Sequence, residues 1–249
     1  MKLYSELAEY YYEIEKPGRK FIQEIRFLDS VFKKHRIKTI LDLGCGTGEH
    51  VQAMQGLGYS LIGVDLSQEM INYAKLRFPT SQFSVADMQS YSYPNHFDGI
   101  YCLFGTFNYL LEEHSIQNSF DSIRRNLKNS GLFILEIWNA IPFQLIKRKP
   151  ITTVSQTNYK GLIIQRNRGF KLKTIEQSQI SPTLVEVNYI YMLDKKEVKD
   201  RHLMRVFNLD DMSELVKKNR FEILHLFGNY QGEKYSQYSS RMIMVLQKK

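Results

Sequence analysis

The sequence predicts an α/β fold built on a doubly wound, mostly parallel sheet, and three observations carry the prediction. Strand-length apolar runs alternate with helix-period segments over residues 38–138, the order required by a sheet covered with helices on both faces. Residues 97–104, Phe-Asp-Gly-Ile-Tyr-Cys-Leu-Phe, are nearly all apolar, as a strand buried on both faces should be. Residues 40–48 read Ile-Leu-Asp-Leu-Gly-Cys-Gly-Thr-Gly, an apolar strand running straight into a glycine-rich turn and then a helix pattern.

In chain order, a helix over 18–34 precedes the first strand, 38–43. Strand 59–64 ends at Asp65 and leads into helix 67–77, for which Ser67 is a good N-cap. A short strand near Phe83–Val85 ends at Asp87; strand 97–104, helix 114–128 and strand 132–138 follow. The rhythm then breaks. Residues 150–207 hold period-two stretches, among them Leu162–Arg168 and Thr183–Met192, with no convincing helix between them. This pattern predicts an inserted antiparallel β-sheet, projecting from the strand ends to roof a ligand site and offering a surface for a homodimer. The main fold resumes at Asn208, an N-cap for helix 209–219, and closes with strands 221–227 and 242–247. The domain expectation is thus a core of 1–149 with 208–249, and an insertion of 150–207.

Composition narrows the class. The 249 residues are 43% apolar and 24% charged, enough to bury a core and stay in solution. The opening Met-Lys-Leu-Tyr-Ser-Glu is mixed polar, so no signal peptide is expected. No stretch approaches the roughly 20 apolar residues of a membrane span. Two cysteines, Cys45 and Cys102, suit a reducing, cytoplasmic setting without disulfides. Six scattered histidines without HExxH or paired CxxC spacing point to no metal. The net charge of +8 favours acidic partners, but the basic residues are dispersed and read mostly as solvated surface.

The glycine turn separates two ligand classes. A dinucleotide loop wants G-x-G-x-x-G, and Glu49 stands where its last glycine would be. That carboxylate at a helix N-terminus opposes a pyrophosphate and suits a cationic ligand. In an open α/β sheet the ligand lies beyond the carboxyl ends of the strands, and Asp42, Asp65 and Asp87 occupy that rim. Asp65 ends the second strand, roughly 20 residues past the first glycine, where a carboxylate can accept both hydroxyls of a ribose. Asp87, after the third strand, can accept from an exocyclic amine.

These segments resemble the class I S-adenosylmethionine-dependent methyltransferases: LDLGCGTG at 41–48, GVDLS at 63–67, Ala86-Asp87-Met88, and FDGIYCLFGTFNYL at 97–110. The resemblance implies a Rossmann-like, seven-stranded sheet with its last strand antiparallel, and S-adenosylmethionine as cofactor. It implies that Asp65 holds the ribose, Asp87 and Met88 the adenine, and the 44–48 loop the methionine portion. The expected cofactor contacts are Asp42, Gly44, Cys45, Gly46, Gly48, Asp65, Leu66, Asp87, Met88 and Leu103.

A narrower resemblance, to the small-molecule branch that includes N,N-dimethyltransferases of nucleotide-linked amino sugars, runs through LAEYYYEI at 7–14, CGTGEH at 45–50, GLFILEIW at 131–138, VEVNYIYM at 185–192 and RHLMRVFNLDDM at 201–212. It implies transfer to a small-molecule acceptor, an amine of a nucleotide-linked sugar foremost. Tyr11, Tyr109 and Glu136 are the catalytic candidates; Phe107, Asn108, Trp138 and Arg241 are the acceptor-binding ones, with Lys147 and Arg148 as further diphosphate partners. Where the sugar enzymes carry a histidine near the acceptor amine, this chain has Tyr109, whose phenol is a weak base near neutrality and is expected to orient the nucleophile. Glu136 has a rival role as a core partner of an arginine, and Arg241 as an edge residue pairing with Glu222. The base-modifying [DN]PP[YF] motif is replaced by Leu103-Phe104-Gly105-Thr106. RNA methylation, small-molecule O-methylation and cofactor binding without turnover are the alternatives.

Overall fold

A computed structural model describes residues 1–145, 152–175, 178 and 180–249. Its larger sheet is formed by β1 (Thr39–Leu43), β2 (Ser60–Asp65), β3 (Gln82–Val85), β4 (Phe97–Cys102), β5 (Leu127–Trp138), β10 (Phe221–Phe227) and β11 (Arg241–Lys248). Strand order is β10-β11-β5-β4-β1-β2-β3. Only β11 runs against the others, antiparallel to both β10 and β5. The order reverses between β1 and β4, so the crevice of the fold opens at their carboxyl ends.

Helices cover both faces. A short α1 (Tyr11–Glu15) precedes α2 (Phe21–Lys34), α3 (Glu49–Gly56), α4 (Gln68–Arg77), α5 (Glu113–Asn126), α6 (Ala140–Leu145) and α7 (Leu209–Lys218). α4 starts where Ser67 Oγ accepts from Met70 N–H, and α7 where Asn208 accepts from Asp211 N–H; each bond satisfies an amide the helix cannot. One core, with Phe107, Phe120, Phe133 and Phe207, lies under α5 and α7. The other, with Phe32, Val51, Met54 and Tyr101, lies under α2 and α3. Burial on both faces accounts for the apolar character of β4 and β5.

The second sheet, in the order β6 (Thr152–Tyr159), β7 (Leu162–Thr174), β8 (Thr183–Leu193) and β9 (Lys196–Arg205), is antiparallel throughout. Its inner face packs against the N-terminal segment through Leu3, Leu7, Ile14, Val185, Val187 and Tyr191. β4 stops at Cys102, short of the expected Phe104, because Phe104 and Gly105 adopt left-handed φ values of 56° and 71°. Among the described residues, no helix is long and apolar enough to cross a membrane and no cluster of His, Cys, Asp or Glu could hold a metal ion.

Candidate active site

A cavity of about 580 Å³ opens at the carboxyl ends of β1, β2 and β4, within the size range of small-molecule sites. Of the expected cofactor residues, Asp42, Gly44, Cys45, Gly46, Asp65, Leu66, Asp87, Met88 and Leu103 all line it. Gly44 and Gly46 are left-handed, with φ of 81° and 54°; a Cβ on Gly44 would lie 2.8 Å from Thr106 Oγ1, and one on Gly46 3.3 Å from the Tyr11 ring. Gly44 therefore requires glycine for conformation and for space, and Gly46 for conformation, with a tight contact to Tyr11 besides. Gly48 does not line the cavity. Its φ of 86° and the Phe83 ring, 2.6 Å from a would-be Cβ, make it a packing glycine.

The carboxylates are held open to a ligand in different ways. Asp65 Oδ2 accepts from Gly46 N–H and Oδ1 from Ser67 N–H, each at 2.9 Å, which orients it across the loop. Burial raises its pKa against the pull of those amides. Burial pushes Asp42 up to about 8, and the neighbouring Asp65 charge adds to the rise. Asp87 accepts from Gln89 N–H at 2.9 Å. Glu49, the negative charge at the start of α3, is paired with Arg77 and accepts from Thr47 Oγ1 at 2.6 Å. Its charge is balanced inside the fold.

Arg19 lies in no sequence motif. It is the one Arg or Lys among the described residues lining the cavity. Its guanidinium lies 3.6 Å above the Phe104 ring, its nearest carboxylate is Glu24 at 4.0 Å, and its buried Nε has no hydrogen-bond partner. A buried guanidinium whose Nε meets a carboxylate only at ion-pair distance, with no hydrogen bond, suits an anionic ligand group.

A smaller chamber of about 60 Å³ shares Tyr4, Tyr11, Arg19, Phe104 and Tyr109 with the large cavity. Leu3, Glu15, Trp138, Arg168, Tyr189 and Met204 complete its walls, the last three residues coming from the four-stranded sheet. Trp138 is held by stacking on Phe143 at a centroid distance of 5.4 Å. Burial raises the Tyr11 and Tyr109 pKa values, so both phenols stay neutral near pH 7.

Four acceptor-side expectations are corrected. Glu136 is 1% exposed and outside both cavities; its carboxylate accepts from Arg241 Nη1 at 2.8 Å, Phe104 N–H at 2.9 Å and Tyr230 Oη. Its lone pairs are spent on the fold, which removes it from catalysis and Arg241 from acceptor binding. Glu222, the rival partner considered for Arg241, pairs with Lys249. Phe107 is wholly buried against Phe120 and Phe207. Asn108 is also wholly buried, donating to Arg205 C=O and accepting from Trp138 N–H at 3.1 Å, a staple between β5 and β9. Lys147 and Arg148 lie outside the described residues.

Residues 40–131 match a methyltransferase domain family. The chain is 24% identical over 217 residues to a putative methyltransferase, YqeM, of Bacillus subtilis, covering 84% of this chain and 83% of that one. It is 24% identical over 136 residues to the dTDP-3-amino-3,6-dideoxy-alpha-D-glucopyranose N,N-dimethyltransferase of Streptomyces fradiae, covering 53% of each chain. It shares its fold with an S-adenosylmethionine-dependent methyltransferase from Clostridium acetobutylicum, at a TM-score of 0.80 and 18% identity over 98% of both chains.

Proposed function

Since this chain is a class I S-adenosylmethionine-dependent methyltransferase, we propose that it methylates an amine of a small, anionic acceptor, an amino sugar carried on a nucleotide. The observation that carries this reading is the aromatic chamber of about 60 Å³ that shares a wall with the 580 Å³ cavity. It has room for the reacting end of a metabolite, about two water volumes, and none for a stacked polynucleotide. Tyr11, Tyr109, Trp138 and Tyr189 would exclude water from it, and ring faces favour cationic methyl and ammonium groups.

When bound, S-adenosylmethionine supplies an electrophilic methyl group on sulfur. The residues then have two tasks, holding and aligning. Asp65 would accept both ribose hydroxyls, Asp87 and Met88 would meet the adenine, and the Gly44–Gly46 backbone would follow the methionine portion. Arg19, with its buried unpartnered Nε, would take the methionine carboxylate. The chemistry of this donor set fits the cofactor at both its polar ends. Tyr11 and Tyr109 would orient the amine in line with the transferred methyl group, the main requirement when the donor is already activated.

Arg168 replaces Arg241 as the candidate for the acceptor's anionic part. Among the described residues it has no carboxylate partner; its Nε donates to Thr153 Oγ1 at 3.1 Å. The relative from Streptomyces fradiae, named for a dTDP-linked amino sugar, supports the choice of test substrate. Incubation with dTDP-3-amino-3,6-dideoxyglucose and S-adenosylmethionine should release S-adenosylhomocysteine and add 14 Da per methyl to the sugar, while bulk RNA gains no label. Labelling of RNA without methylation of any amine metabolite would overturn the reading.

A further inference from the structure

We infer that Tyr109 is the cavity end of a hydrogen-bonded chain, Tyr109–His202–Asp200, that receives the proton given up by the acceptor. The inference rests on the amine reading above. Tyr109 Oη lies 2.6 Å from His202 Nδ1, and His202 Nε2 lies 2.9 Å from Asp200 Oδ2. Tyr4 Oη lies 2.8 Å from Tyr109 Oη. His202 is wholly buried, and β9 presents Asp200 and His202 on one face because strand side chains repeat every second residue.

The order of donors and acceptors follows from one end. Asp200 is acceptor-only as a carboxylate; Leu3 N–H and Arg201 N–H donate to it at 2.8 and 2.9 Å. Although burial opposes it, the Leu3 bond and the facing imidazole hold Asp200 below the usual carboxylate range. Nε2 of His202 must therefore carry the hydrogen, which leaves Nδ1 as a lone pair. Tyr109 then donates to Nδ1, and Tyr4 donates to Tyr109. One lone pair of Tyr109 Oη remains, so toward the cavity this hydroxyl can only accept. An acceptor N–H satisfies it; a ligand carbonyl does not.

That polarity gives the phenol a basicity it lacks alone. The amine nitrogen's pair forms the new N–C bond and the S–C pair stays on sulfur. The surplus N–H proton passes to Tyr109 Oη as Tyr109's own proton passes to His202 Nδ1, leaving an imidazolium facing Asp200. The chain resets in reverse after product leaves. Tyr109 touches the acceptor; His202 and Asp200 act through it as positioning residues.

The groups facing His202 are Asp200 from its own strand, Tyr109 from the turn after β4, Tyr4 and the Met1 ammonium from the N-terminal segment, Glu15 from α1, and Tyr189 from β8. Burial outweighs the Asp200 charge and lowers the His202 pKa, so the ring is neutral at pH 7. Protonation at lower pH would turn Nδ1 into a donor and reverse Tyr109 toward the cavity. Activity should therefore fall as pH drops below the free-histidine value of about 6.5.

Nitrogen-15 NMR of the full chain saturated with S-adenosylhomocysteine tests the wiring without any acceptor. At pH 7 His202 should be the neutral Nε2–H tautomer, with its Nδ1 signal moving in Tyr109→Phe. An Nδ1–H tautomer or an imidazolium at pH 7 overturns the inference. With dTDP-3-amino-3,6-dideoxyglucose as probe, Tyr109→Phe and His202→Gln should each lower kcat about a hundredfold. KM and S-adenosylhomocysteine affinity should stay within twofold, and His202→Gln should lose the acidic limb of the pH profile. An unchanged limb in a folded His202→Gln protein, or tenfold or smaller losses in a folded Tyr109→Phe protein, would reduce the chain to a structural one. If the wild type leaves the sugar unmethylated, the substrate reading fails and the NMR result alone decides the inference.

Discussion

The two walls of the site are assembled by different means. On the proposed cofactor side the lining is local: β1 and the turn after it deliver Asp42, Gly44 and Gly46 within five residues, and Asp65, Asp87 and Leu103 each end or follow a strand of one sheet. On the proposed acceptor side Tyr4, Tyr11, Tyr109, Trp138, Arg168 and Tyr189 converge from the N-terminal segment, two strand ends and a second sheet. A local wall is fixed by backbone geometry and varies little without loss of the loop. A composite wall is fixed by packing, so its chemistry can change one side chain at a time.

Four measurements would break or sharpen that contrast. Asp65→Ala should have the largest effect. Two ribose hydroxyls lose their acceptor at about 1.5–3 kcal/mol per bond to a charged group, and Gly46 N–H loses its partner. Calorimetry should find S-adenosylmethionine bound at least a hundredfold more weakly; unchanged affinity would remove Asp65 from the site.

Gly48→Ala comes next, as a stability effect of about 3 kcal/mol from a left-handed φ plus a Cβ driven into Phe83. Gly169, in β7 with nothing within 4 Å of an added Cβ, should accept alanine within about 0.5 kcal/mol. Equal losses in denaturant unfolding would erase the difference between the two regions.

Arg241→Ala should cost about 2 kcal/mol of stability. Breaking a buried pair costs about 3–5 kcal/mol, and the value is reduced here because the Arg241 side chain is 34% exposed. With the protein folded, KM for the amino sugar should not change; a rise in KM alone would restore Arg241 to the acceptor site.

The last measurement is of pH dependence. Asp42, with a pKa of about 8, is mostly protonated at pH 7. A cationic ligand favours its charged form, so binding should release a proton, and affinity should rise by up to about 1.4 kcal/mol per pH unit from pH 6 to 8 before levelling off. Calorimetry in buffers of different ionisation enthalpy reads the proton directly. No release at pH 7 would mean that Asp42 stays protonated beside the bound cofactor.

The cofactor wall was legible because its signals are contiguous: glycines at fixed spacing, and carboxylates at strand ends. The acceptor wall was legible only in part. Thr106–Tyr109 forms a single 3-10 turn, and its tight pitch sends Phe107 into the core and Asn108 onto β9 while Tyr109 reaches the cavity. Of the three residues in this turn that the sequence places at the acceptor site, only Tyr109 lines it. Glu136 lies on the expected strand end, but Arg241 and Tyr230, more than 90 residues away, capture its carboxylate. Arg19 carried no motif. His202 was counted among scattered histidines, although Asp-x-His on a strand already places both side chains on one face. What was missing was the partner, Tyr109, 93 residues away.

The left-handed turn at Phe104 bears on how the acceptor chemistry of this enzyme could diversify. Phe104 lines both cavities at φ 56°, with its N–H fixed by buried Glu136 and its ring under Arg19. Glycine, asparagine and aspartate tolerate that conformation; valine, isoleucine and threonine do not. Mutational drift at this position therefore leads toward a vacated space, an amide or a carboxylate beside Arg19. The backbone, by restricting which side chains can follow one another here, limits the set of acceptors open to descendants of this chain.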